Sequence, residues 1–167
     1  MSRLSNTNKA ALTLIAILTL CLFGILISRL IVTMFSPRPS QVGTDHGAIT
    51  PCPDSPNCVV SITEMTRRPD QQLLPFVYQD DMETAQANLL AVLEAMPQIT
   101  VISASPTYIH AESQSWLFGF VDDTEFYFDS DEKFIHVRAA SRLGYYDGEA
   151  NRKRVEAIRH AFSTSQP

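Results

Sequence analysis

The sequence predicts an α+β domain: an antiparallel sheet of four to five strands with two helices, in the order β-α-β-β-β-β-α, preceded by one transmembrane helix. Three observations carry this expectation. An eighteen-residue run without a charge, AALTLIAILTLCLFGILI, occupies Ala10–Ile27. Two stretches with apolar residues at helical spacing lie near residues 82–96 and 147–162. Between them the chain alternates β-branched and aromatic residues with polar ones, the period of a half-buried strand.

The apolar run covers most of a ~30 Å hydrocarbon layer at ~1.5 Å per residue, and after Ser28-Arg29 the LIVTMF stretch lets the span extend to Phe35 or tilt. A cleaved secretory signal is the competing reading, because Arg3 and Lys9 form a basic leader. The run is longer than a usual signal core, and SPRPS after Phe35 is a poor cleavage context, so an uncleaved anchor over 10–35 is expected, with Cys21 an inert thiol inside it. Arg3, Lys9 and the amino terminus outweigh Arg29 and Arg38 slightly in the positive-inside balance. Residues 1–9 are therefore read as a cytoplasmic tail. Everything after about residue 36 is read as lying outside the cytoplasm, in the periplasm or an equivalent extracytoplasmic space of a cytoplasmic (inner) membrane.

Residues 36–46 read as a linker, rich in Pro, Gly and Ser, leading into an exported domain over 47–163 and a disordered tail over 164–167. At the domain's start, TPCPDSPNCVVS (Thr50–Ser61) places Cys52 and Cys58 six residues apart among three prolines. In an oxidising compartment this spacing favours a structural disulfide, ahead of free thiols and of metal or redox chemistry. A redox pair has two intervening residues and opens a helix, and a zinc site needs more ligands than nearby His46 supplies. No metal site and no cofactor are expected.

QLLPFVY (72–78) then reads as a strand, and Asp80 with Glu83 resembles a capping box. Met82, Ala85, Leu89, Val92, Leu93 and Met96 share one face of the first helix, which Pro97 stops. ITVISAS is the next strand, and TYIHAESQSWLFGF one long or bent strand with a bulge at Gly119. In DDTEFYFDSDEKFIHVRAAS the acidic cluster is the turn. Centred between Ser130 and Asp131, it sets Phe128 against Lys133 and Phe126 against Ile135. The polar face then pairs Glu125 with His136 and Asp123 with Arg138. The last helix begins near Asp147, and Asn151, Val155, Ile158 and Phe162 fall on one face, so the Asn151 amide should turn towards the sheet.

Asp122 and Asp123 are adjacent and so point to opposite faces of a strand. Asp123 reads as a surface partner of Arg138, whereas Asp122 would need donors such as the Asn151 amide or Arg142. Arg138, Arg142, Arg152, Lys153, Arg154 and Arg159 crowd together in a chain of net charge −5, of which Arg142 and Arg152 stand out at an element junction. The overall acidity argues against a nucleic-acid partner. Ser141, His136 and Asp123 have the residue types of a hydrolytic triad, but the odd separation of His136 and Ser141 sends them to opposite faces. His110, His160 and Trp116 read as core or surface residues.

Three blocks carry a resemblance: CPDSPNCV (52–59), FGFVDDTEF (118–126) and VRAASRLGYYDGEANRKRVEAIR (137–159). Together they resemble the family called domain of unknown function 1499 over about residues 47–162. Val60 stands where the family pattern has the first of two serines, and Ala139 where it has Ser. The resemblance implies an exported or membrane-attached domain and no particular activity. Its motif positions fall on Cys52, Ser55, Asn57, Cys58, Asp122, Asp123, Arg138, Ser141, Arg142, Asn151 and Arg152, candidates for one binding site. The functional expectation is a membrane-anchored envelope protein that is not an enzyme. Its anchor lies in the bilayer and its domain binds an envelope partner or an anionic ligand. The alternative is a hydrolase-type enzyme using Asp122 with Arg142 and Asn151.

Overall fold

The computed structural model describes residues 5–40, 42 and 49–166. His46, weighed above as a metal ligand, and the boundary between linker and domain lie outside them. Helix α1 (Asn6–Phe35) is long and apolar enough to cross a membrane. There follow β1 (Cys58–Val60), β2 (Phe76–Val77), α2 (Met82–Ala95), β3 (Ile99–Ser105), β4 (Tyr108–Gln114), β5 (Val121–Asp129), β6 (Phe134–Ser141) and α3 (Ala150–Ser165). The strands form one antiparallel sheet in the order β1-β6-β5-β4-β3, with β2 pairing the other end of β6. From β2 to α3 this is the expected β-α-β-β-β-β-α order; β1 is an additional strand.

The local chemistry explains where elements start and stop. Asp81, not Asp80, caps α2, accepting from the Thr84 amide at 2.8 Å. Only Phe76 and Val77 of the 72–78 stretch pair as a strand, because Pro69–Gln71 forms a 3-10 turn and Pro75 offers no amide for the ladder. The long strand expected over 107–120 ends at Gln114. From Ser115 the chain turns, with Gly119 at φ +75° donating its amide to the Ser115 carbonyl at 3.0 Å.

The β5–β6 register differs from the expectation by two residues. Phe128 pairs with Ile135, Phe126 with Val137 and Glu125 with Arg138. The Asp129 side chain accepts from the amides of Asp131 and Glu132, so the connection takes four residues rather than two. A slip of two leaves every side chain on its predicted face. The core face holds as expected, but the pairs Glu125–His136 and Asp123–Arg138 do not form.

Both helices pack on one face of the sheet. Leu89 and Leu93 of α2 and Val155, Ile158 and Phe162 of α3 meet Phe126, Phe128, Ile135 and Val137 in one cluster. Phe76 stacks edge-on to Phe126 at 5.9 Å. Each such fully buried side chain contributes ~1.5–3 kcal/mol. The other face of the sheet, on which neither α2 nor α3 packs, carries the network of Glu112, Asp123 and Glu125 with arginines.

Candidate functional site

Asp122 and Asp123 do alternate, and each heads a separate network. On the face away from α2 and α3, Arg142 reaches back from beyond the end of β6 and grips Asp123 with two donors, Nε to Oδ2 at 2.8 Å and Nη2 to Oδ1 at 2.7 Å. The residue across the ladder from Asp123 is Ala140, whose methyl leaves room for the guanidinium. Glu112, opposite Asp123 on β4, also accepts from Arg142 Nη2, and from Arg38 Nε at 2.6 Å. His110 Nε2 lies 2.8 Å from Asp123 Oδ1. Two residues along β5 on the same face, Glu125 accepts from Arg138 Nη1 at 2.8 Å and from the Tyr108 hydroxyl at 2.9 Å.

These charges are deeply placed: Asp123 is 2% and Glu125 0% exposed. Burial alone would push the Asp123 carboxyl up, but hydrogen bonds from Arg142 and His110 outweigh it and hold it below the usual range. Glu112 is lowered the same way, burial being overcome by Arg38 and Arg142. Burial and the adjacent Glu125 carboxylate push the Tyr108 hydroxyl up. The ligand atoms of His110, Glu112 and Asp123 lie within 4.8 Å of one another, close enough for a shared cation. Arg142 Nη2, bonded to both carboxylates, takes that cation's place.

The disulfide roofs this face. Cys58 pairs with Ala140 across β1–β6 and is bonded to Cys52, their Cα atoms 5.8 Å apart. Segment 50–53 is thereby drawn over the sheet, where the Cys52 amide donates to the Met65 carbonyl at 2.8 Å and Gln71 Nε2 holds the Pro53 and Ser55 carbonyls. Beneath it is a cavity of 340 Å³ whose walls include Pro39, Thr50, Cys52, Asp123, Arg138 and Arg142.

On the helix face, Arg154 Nη2 donates to Asp122 Oδ2 at 2.6 Å, and its Nη1 to Asn151 Oδ1 at 2.7 Å. Asn151, fully buried, donates Nδ2 to the Asn57 carbonyl and to Ser141 Oγ, each at 3.0 Å. Asn57 Nδ2 in turn donates to the Gly144 carbonyl at 2.6 Å, and Ser55 Oγ to Asn57 Oδ1 at 2.7 Å. Asp147, two residues before the N-cap Glu149, accepts from the Asn151 amide in the first turn of α3 at 2.9 Å. Three separated chain segments thus meet through Asn57, Ser141 and Asn151.

Asn57 lies in the first of the three blocks on which the resemblance rests, Asp122 in the second, and Ser141 and Asn151 in the third. The model of a family described as "Protein of unknown function (DUF1499)" matches residues 48–162. The chain belongs to the DUF1499 family. No curated protein matches it.

The DUF1499 motif positions therefore divide between two faces rather than forming one site. Ser55, Asn57, Asp122, Ser141 and Asn151 gather at the start of α3, and Asp123, Arg138 and Arg142 gather under the disulfide loop. Arg152 joins neither: its Nη2 donates to the Asp70 and Gln72 carbonyls at 2.7 and 3.0 Å, tying α3 to the 70–72 turn. Asp123 is a buried partner of Arg142 and His110, not a surface partner of Arg138. Asp122 is met by Arg154 instead of Arg142. The triad types stay apart, with Ser141 on the helix face and His136 beside Ser61.

Arg154, His110, Glu112, Arg38 and Gln71 are the participants that sequence reasoning missed. Signals existed for three of them. Arg154 follows Asn151 by three, so the two share a helix face, and His110 and Glu112 share one face of β4.

Proposed function

We propose that this DUF1499 protein is a binding protein and not an enzyme. In this reading α1 anchors it in the cytoplasmic membrane with the amino terminus inside. The domain outside receives the anionic group of a small ligand or of an envelope partner in the cavity under the Cys52–Cys58 loop. One observation carries the reading: two guanidinium groups, Arg138 and Arg142, line that cavity against, among the described residues, a single carboxylate, Asp123. Arg138 gives Nη1 to Glu125, and its Nε, shut off from solvent, has no partner among the described residues. A planar guanidinium fork suits a carboxylate or phosphate.

The hydrolase-type alternative has less support. Asp122 already accepts from Arg154, Arg142 lies across the sheet from it, and the fully buried Asn151 amide is taken at both ends by Arg154, the Asn57 carbonyl and Ser141 Oγ.

The test uses the full chain in mild detergent, with inorganic phosphate as probe. Phosphate should raise the melting temperature, by an amount equivalent to ~2.7 kcal/mol at a hundredfold excess over its dissociation constant. Arg138→Gln combined with Glu125→Gln keeps the buried charge balanced and should abolish the rise. An equal rise in wild type and double variant would exclude the cavity as the site.

A further inference from the structure

We infer that the turn Ser115–Phe120, together with Tyr145 and Tyr146, lies in the headgroup layer of the bilayer beside α1, so that the domain touches lipid directly as well as through its anchor. This rests on the reading of α1 as a membrane span.

The carboxy-terminal part of α1 is not free. Ile25, Ser28 and Arg29 are half-buried and Val32 and Ser36 buried, at spacings of three, one, three and four, so one stripe of the helix is covered. The Arg29 guanidinium donates to the Trp116 carbonyl, and its side chain lies 3.6 Å from where a Cβ on Gly119 would sit. Arg29 is the first charge after the uncharged run Ala10–Ile27. A run of eighteen residues at ~1.5 Å each already fills most of the hydrocarbon layer, so Arg29 marks its boundary, where a long cationic side chain reaches the headgroups. The 115–120 turn is fixed at that same level.

What the turn presents there is apolar. Trp116 is 77% exposed, and Leu117, Phe118 and Phe120 are also exposed. Phe120 and Tyr146 line one 290 Å³ cavity, which joins the turn to the 143–146 segment, where Tyr145 and Tyr146 are exposed as well. Trp and Tyr at this depth are the residues of an interfacial belt, with an apolar ring and a polar edge. The turn is also closed on itself: the Ser115 amide donates to the Phe120 carbonyl at 2.8 Å, and the Phe120 amide to Ser115 Oγ at 2.9 Å. A preformed turn loses little entropy on insertion. The chain's net charge of −5 points to zwitterionic rather than anionic lipid.

Trp116 is the chain's one tryptophan, so its fluorescence reports on this turn alone. The full chain is reconstituted in phosphatidylcholine vesicles whose acyl chains carry bromine either just below the headgroup or near the chain end. Trp116 emission should be blue-shifted, quenched strongly by the shallow bromines, weakly by the deep ones, and shielded from aqueous iodide. Phe118→Asp with Phe120→Asp should lose the shallow quenching while the protein remains in carbonate-washed membranes. Wild-type Trp116 that is open to iodide and indifferent to brominated lipid, in protein that resists carbonate, would overturn this inference and leave the anchor intact. Release of the protein by carbonate would overturn both.

Discussion

Arg142 holds Asp123 through both Nε and Nη2, and the two side chains are 7% and 2% exposed. The pair is part of a larger network in which, among the described residues on this face, three carboxylates, Glu112, Asp123 and Glu125, meet three guanidinium groups, those of Arg38, Arg138 and Arg142. Removing one member therefore costs more than the hydrogen bonds it makes.

Arg142→Ala leaves Asp123 buried without its guanidinium, beside a Glu112 that keeps only Arg38. The expected loss is ~3–5 kcal/mol of unfolding free energy, read by urea denaturation of the full chain in detergent. Adding Asp123→Ala should restore part of it, so the double variant should be more stable than the sum of the two single changes implies. Strict additivity would show that the pair is not coupled.

Acid should weaken the same network. The carboxyls of Asp123 and Glu112 are more acidic in the folded protein than their ordinary values of 3.8 and 4.5. Their stabilisation is thus complete above those ordinary values and is lost as pH falls through the lower folded ones. Melting temperature should hold near neutrality and fall from about pH 5 downward. In Asp123→Asn the fall should be shallower, because that site no longer gains a proton on unfolding.

The disulfide closes a small ring, and opening it should cost roughly 2 kcal/mol by the loop-entropy relation. Cys52→Ser with Cys58→Ser should lower the melting temperature accordingly. Alkylation of wild-type protein should modify Cys52 and Cys58 only after reduction, while Cys21 is free in either case.

Asn151→Ala removes the amide that joins Asn57, Ser141 and Arg154. Its loss leaves the buried Asn57 carbonyl without that donor, and a penalty of ~1–3 kcal/mol is expected. Hydrogen exchange should quicken first at the Ser141 amide, which donates to that same carbonyl at 3.0 Å. Unchanged exchange there would mean the junction is held by other contacts. Arg152→Ala, whose bonds lie at an exposed end of the 70–72 turn, should cost under ~1 kcal/mol.

Much of this was legible from residue spacing. Period-two alternation separates Asp122 from Asp123, and the spacing from Asn151 to Phe162 turns the Asn151 amide inward, as found. The Cys52–Cys58 bridge follows from proline-rich context and spacing. What escaped depends on longer range. The pairing of Glu125 with Arg138 hangs on how many residues the Asp129 side chain gathers into the turn. Arg142 meets Asp123 from outside any strand, so ladder logic cannot place it. Gln71 matters because a 3-10 turn buries it under a loop about eighteen residues away in sequence.

The edge of β6 is divided between two short partners, β1 at one end and β2 at the other, while β3 closes the opposite side with its pairing to β4 shifting between Val101 and Ser103. Among the described residues, a second molecule approaching strand to strand meets β3 on one side, where the ladder to β4 is interrupted midway, and on the other only the three-residue β1 and the two-residue β2. Bulged edges resist edge-to-edge pairing. Strand-to-strand pairing between copies of the domain is thus disfavoured at both edges of the sheet.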